Sequence, residues 1–80
     1  MTRFYLHLHE QGKVVPDAEG LERPDLASAM RAAVDSARDV MAADVLCGRL
    51  DLSGRIEVAD RNGAILGMVA FVDVVSVTSG

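Results

Sequence analysis

The chain has 80 residues, half of them hydrophobic and a quarter charged, with a formal net charge of −4 from twelve acidic and eight basic side chains. This describes one globular domain over residues 1–80: too short for two cores, too apolar for disorder, and too acidic for nonspecific nucleic-acid binding, which needs a basic field. Cys47 is the only cysteine, so neither disulfides nor cysteine–histidine zinc sites supply stability; a core this small gives only ~3–5 kcal/mol, and self-association is the simplest supplement.

Arg3 to His9 alternates strictly, with Phe4, Leu6 and Leu8 on one face and Arg3, Tyr5, His7 and His9 on the other, which predicts a half-buried strand. Glu10-Gln11-Gly12-Lys13 reads as a hairpin turn, and Val14-Val15 as a short edge strand ended by Pro16. Residues 17–24 are expected to be a loop. Asp17, Glu19, Glu22 and Asp25 lie close together there. The alternating ligands and terminal glutamate of a calcium loop are missing, which favours a solvated loop over a cation site.

Asp25 to about Cys47 is the predicted helix. Leu26, Met30, Ala33, Ala37, Val40, Met41 and Val45 recur at intervals of three and four and draw one apolar stripe. Asp25 is the expected N-cap and Gly48 the stop. Arg31–Asp35 and Asp35–Arg38 have the spacing of surface ion pairs. Beyond the helix, Leu50 and Leu52 are expected to cover an end of the core. Ile56 and Val58 alternate with Arg55 and Glu57 as a third strand. Asp60-Arg61-Asn62-Gly63 is a hairpin signal, and Ala64 to about Val72 is a last strand apolar on both faces.

The expected fold class is α+β: a two-layer β-β-α-β-β arrangement, one helix packed on a mostly antiparallel four-stranded sheet, with the first and last strands placed centrally. No apolar run approaches the ~20 residues of a membrane span. No leader is expected ahead of the first strand, and a lone thiol suits a reducing compartment, so a cytoplasmic location is expected.

Chemistry-bearing residues are sparse. His7 and His9 share a strand face and could reach one metal ion, with Glu57, Glu10 or a second subunit completing the set; two ligands alone leave four-coordination unmet, and a wet sheet face is the plainer reading. Ser28, Ser36, Ser53, Ser76 and Ser79 lack a nucleophile motif. Cys47 at a helix C-terminus is badly placed for a low pKa and is expected to be a small buried apolar residue. The glycines are dispersed, with no phosphate-cradling cluster. Arg3, Lys13 and Arg55 could form a local basic patch. The expectation is therefore non-enzymatic, with no cofactor.

The sheet face away from the helix is the better candidate. It carries Tyr5, His7 and His9, together with either Leu66, Met68 and Ala70 or Ile65, Val69 and Phe71. Exposed contiguous apolar surface marks a partner, and Tyr5, His7, Leu66, Met68 and Ala70 form the candidate interface. The expected role is a small interaction or regulatory module acting as a homodimer; the alternatives are an antitoxin-like inhibitor of a basic partner protein and a metal-binding protein using His7 and His9. The C-terminal valines, Val74, Val75 and Val77, could instead augment another sheet edge.

Several segments occur in a recognisable order: Arg-Phe-Tyr-Leu-His-Leu at 3–8, Pro-Asp-Ala-Glu-Gly-Leu-Glu-Arg-Pro-Asp-Leu at 16–26, and Arg-Ile-Glu-Val-Ala-Asp-Arg-Asn-Gly at 55–63, followed by Phe71. In these the chain resembles a family of short bacterial proteins classed as a domain of unknown function. Leu6 stands where that family often has an aromatic, and Ala70 where a proline often precedes the phenylalanine. The resemblance implies no activity and no site residues. A fainter similarity, in the order of elements alone, is to the antitoxin domain of the HicB type.

Overall fold

A computed structural model describes residues 1–80. The elements run β1 (Thr2–Glu10), β2 (Lys13–Val15), β3 (Leu21–Arg23), α1 (Leu26–Leu46), β4 (Arg55–Ala59) and β5 (Ile65–Ala70), with a 3₁₀ turn at Phe71–Asp73. All pairings are antiparallel, and α1 lies across one face of the sheet. The α+β, two-layer reading holds, with five strands in place of four. The extra strand is β3, within the stretch expected to be a loop: Leu21 to Arg23 pairs with Phe4 to Thr2.

The order is β2-β1-β4-β5, with β3 on β1 as well. The expectation of first and last strands at the centre is therefore half right. β1 is central, but its inner neighbour is β4, and β5 is an edge. Hydrophobicity on both faces of β5 suggested a central strand; instead Val69 is buried under the helix while Ile65, Leu66 and Met68 stay half exposed. The strand also ends sooner than expected, because the chain turns at Phe71.

Helix ends follow local chemistry. Asp25 Oδ1 accepts the Ser28 N–H at 2.8 Å, satisfying one free donor of the first turn. At the other end Gly48 takes φ 85°. Gly48 N donates to Val45 O (2.9 Å) and Arg49 N to Asp44 O (3.0 Å), the paired bonds of a Schellman stop. Cys47 is the exposed C-cap residue, not the buried residue expected: the helix has left the sheet by that point.

The stripe that faces the sheet is Ala29, Ala33, Ala37, Met41 and Asp44. It is rotated from the expected one. Leu26 and Val45 lie outside it, at 38% and 56% exposure, and Ala29 lies inside. Sheet-side volume explains the rotation. Phe4, Ile56, Val58, Val69 and Phe71 fill the space between the layers, so the helix must present its smallest residues. At Gly67 the approach is closest: a Cβ there would sit 2.6 Å from Met30 Sδ. Leu52 packs against the core as expected, whereas Leu50 is 45% exposed. Neither of the expected ion pairs along α1 forms. Arg38 instead donates from Nε to Val74 O at 3.0 Å and holds the C-terminal segment beside the helix.

Candidate functional site

Two turns position the strands. Gln11 and Gly12 both have positive φ, 54° and 72°, the mirror-type two-residue turn that matches strand twist. Asp51 ties this turn to the approach of β4: its Oδ2 accepts Gln11 N (2.8 Å), and its Oδ1 accepts Ser53 N (2.9 Å) and Ser53 Oγ (2.5 Å). The bond from Ser53 is the main cause holding the Asp51 carboxyl below its ordinary range. At the β4–β5 turn, Asp60 Oδ1 accepts Asn62 N (2.8 Å) and Ala64 N (2.9 Å). Leu66 is the extra residue of a bulge there, since Ala59 pairs with Ile65 and Val58 with Gly67.

The acidic loop is built around Asp17. Its carboxylate accepts N–H groups from Leu6 (3.1 Å), Gly20 (3.0 Å) and Glu19 (3.3 Å). Burial alone would raise its pKa, but these bonds to the charged form prevail and lower it. Asp17 thus fills the gap between β2 and β3 along the edge of β1. Glu22 pairs with Arg3 at 3.1 Å, and Asp25 caps the helix.

His7 and His9 lie on the outer sheet face as predicted, but each is engaged by its own neighbours. His7 Nδ1 accepts the Asp17 N–H at 3.0 Å, and its ring stacks with Tyr5 at 6.4 Å and 13°. His9 Nδ1 faces Arg55 Nη2 at 3.2 Å, and its Nε2 lies against Glu57 Oε1. Arg55 can only donate, so His9 accepts at Nδ1 and presents an Nε2 proton to Glu57. Of the proposed third ligands, Glu57 joins His9. Glu10 does not, because alternation puts it on the helix side. No group of three histidine, cysteine, aspartate or glutamate side chains is arranged to hold a metal ion.

Glu10 instead meets Asp44 on the last helical turn, a pairing the sequence reading missed. Glu10 Oε2 and Asp44 Oδ2 are both enclosed and reached by no donor of the protein. A proton on Glu10 supplies the donor that the pair otherwise lacks. Burial and the Asp44 carboxyl push the Glu10 pKa from 4.5 to about 7, with Asp51 adding to the rise and Arg49 opposing it. The signal was present in spacing. Glu10 shares parity with Phe4, Leu6 and Leu8, and Asp44 continues the line 29-33-37-41.

Cross-strand register composes the outer face. Met68–Glu57–His7 and Ala70–Arg55–His9 form two rungs, and Ala59–Tyr5 a third. Tyr5 and His7 therefore share a face with Met68 and Ala70, but β4 puts Glu57 and Arg55 between them. The apolar part of the candidate interface is confined to β5: Leu66, Met68 and Ala70, with Ile65 beside them. A second apolar surface is a groove of about 500 Å³ beside the C-terminal half of α1, lined by Val45, Leu46, Leu50, Val75 and Val77 among others. Arg3 is bound to Glu22 and the Glu19 carbonyl, and Arg55 lies beside Glu57, so two of the three basic residues singled out above are engaged by carboxylates.

No helix is long and apolar enough to cross a membrane. No curated protein and no solved structure matches the chain. A family model described as a domain of unknown function, DUF6894, matches residues 3–72. That span includes the helix, the acidic loop and every strand but for the first residue of β1, and the chain belongs to this family.

Proposed function

We propose that the protein is a small non-catalytic interaction module that acts by self-association through the β5 side of its sheet. The observation that carries this reading is the run from Ala64 to Val72. It has no charged or polar side chain, lies at a sheet edge, and leaves Ile65, Leu66 and Met68 between 42% and 53% exposed. Contiguous apolar surface of this kind marks an interface. Only 12 of the 80 residues are buried, and a core that small gains most from a second copy.

Against catalysis stands the engagement of the polar groups. His7, His9, Asp17, Asp25, Asp51 and Asp60 hold their own chain's backbone or side chains. The antitoxin-like alternative rests on net negative charge, and four of the twelve acids, Asp17, Asp25, Asp51 and Asp60, already hold turns and the helix cap. Sedimentation equilibrium tests the proposal. A mass of two chains that falls to one on Met68→Lys supports it; a strict monomer at high concentration ends it.

A further inference from the structure

The two edges of the sheet differ in a way that selects both the partner and the geometry. On the outer side of β1 the edge is broken. Lys13–Val15 and Leu21–Arg23 are three residues each, and Pro16 to Gly20 between them form no strand. Asp17 takes the Leu6 N–H of β1 that a continuous strand would have paired, and Lys13, Glu22 and Arg23 add charges. Such an edge resists strand addition. On the other side β5 has a six-residue edge without charge or proline, interrupted only by the bulge at Leu66 and regular from Gly67 to Ala70.

A copy that docked β5 onto the β1 side of the next copy would build an open fibre, and the broken edge blocks that. Pairing β5 with β5 closes at two copies. We propose that a second copy of this chain joins β5 to β5 in antiparallel fashion, extending the sheet across a two-fold axis at Met68. This rests on the self-association reading above and names its geometry.

Parity decides the register. A two-fold axis perpendicular to the sheet keeps both helices on one face, so facing residues must have equal parity and the axis must pass midway between one residue and its own copy. Centred on Met68, Met68 faces Met68 of the second copy and Gly67 faces Val69 of the second copy. Leu66 then lies beside Ala70 of the second copy, a large side chain against a small one. The outer-face apolar residues of β5 thereby merge into one strip across the junction. β5 itself carries no charged side chain, so no like charges face each other along the paired strands.

The test is cysteine cross-linking in a Cys47→Ser background. Facing Cα atoms in an antiparallel pair are ~4.5–5.5 Å apart, within disulfide range. Met68→Cys should convert almost completely to a covalent dimer under mild oxidation. Leu46→Cys, 89% exposed on α1, should stay monomeric. In unmodified protein, hydrogen exchange at residues 67–70 should slow as concentration rises.

A two-chain mass with no Met68→Cys cross-link, unchanged β5 exchange and efficient Leu46→Cys cross-linking would overturn the edge pairing. It would assign dimerisation to the helix groove and leave self-association standing. A one-chain mass overturns both.

Discussion

The edge along β1 and the edge along β5 solve the same problem in opposite ways. Every sheet edge carries unpaired N–H and C=O groups that invite another strand. On the β1 side the chain answers with polar chemistry: two stubs of strand, a carboxylate in the gap, and charges at both ends. On the β5 side it answers with a bulge at Leu66 and otherwise with packing. Val69 and Phe71 anchor the strand to the core, Gly67 lets Met30 lie over it, and the outer edge is left bare. One edge is stabilised by hydrogen bonds that close it, the other by core contacts that leave it open. The proposed self-association uses the edge that is unprotected yet firmly held.

Removing the anchor of the open edge has the largest expected effect. Phe71 is fully buried and its ring lies against Gly54. Phe71→Ala should lower the unfolding free energy by ~3–5 kcal/mol in urea titration. An unchanged midpoint would mean that β5 is not core-anchored.

Next comes the clamp of the closed edge. Asp17→Ala leaves the Leu6 and Gly20 N–H groups without their acceptor and should cost ~2–4 kcal/mol. It should also raise light scattering, since β1 gains an open edge. Asp17 has a lowered pKa; its contribution is whole above the ordinary aspartate value of 3.8 and is lost as pH falls through the lowered value. Acid titration of wild type against Asp17→Asn checks the sign.

The Glu10–Asp44 contact has the opposite pH dependence. Between 4.5 and about 7 the folded chain keeps a proton that the unfolded chain has released. Its contribution is whole below about pH 4.5, falls as pH rises, and is gone above about pH 7. Glu10→Gln, which supplies donors at every pH, should flatten the stability difference between pH 5 and pH 8 by roughly 1–3 kcal/mol. Parallel denaturation curves at the two pH values measure it.

The smallest effect on folding separates the edges most cleanly. Met68→Lys puts a guarding charge on β5 and should change monomer stability by only ~0.5 kcal/mol, while abolishing the proposed two-chain species in sedimentation.

What could be read from the sequence was local. Asp25 and Gly48 bound the helix because caps act within a turn, and the alternation of residues 3–9 assigned the faces of β1 because parity needs no partner. What escaped was long-range. Leu21-Glu22-Arg23 is too short to show periodicity and becomes a strand only through residues 2–4. The helical stripe turned from Leu26 to Ala29 because Phe4, Ile56 and Phe71 had already taken the space. Arg38 matched Asp35 in spacing but found Val74 O, a partner 36 residues away. At the candidate site, His7, His9, Leu66, Met68 and Ala70 lie on the outer side as expected. The charged strip separating Tyr5 and His7 from β5 was hidden because strand order was unknown.

The central pairing of β1 with β4 joins Tyr5 to Ala59 and His9 to Arg55, and this separation sets an order of events during synthesis. A ribosome adding roughly 5–20 residues per second needs ~2–10 s to make the 46 to 54 residues that separate these partners. For that interval β1 has only its guarded side occupied, by β2 and β3, which are made soon after it. The bare, uncharged β5 emerges after β4. It therefore finds its inner neighbour already translated, and the side of the strand that pairs with β4 need not wait for a partner.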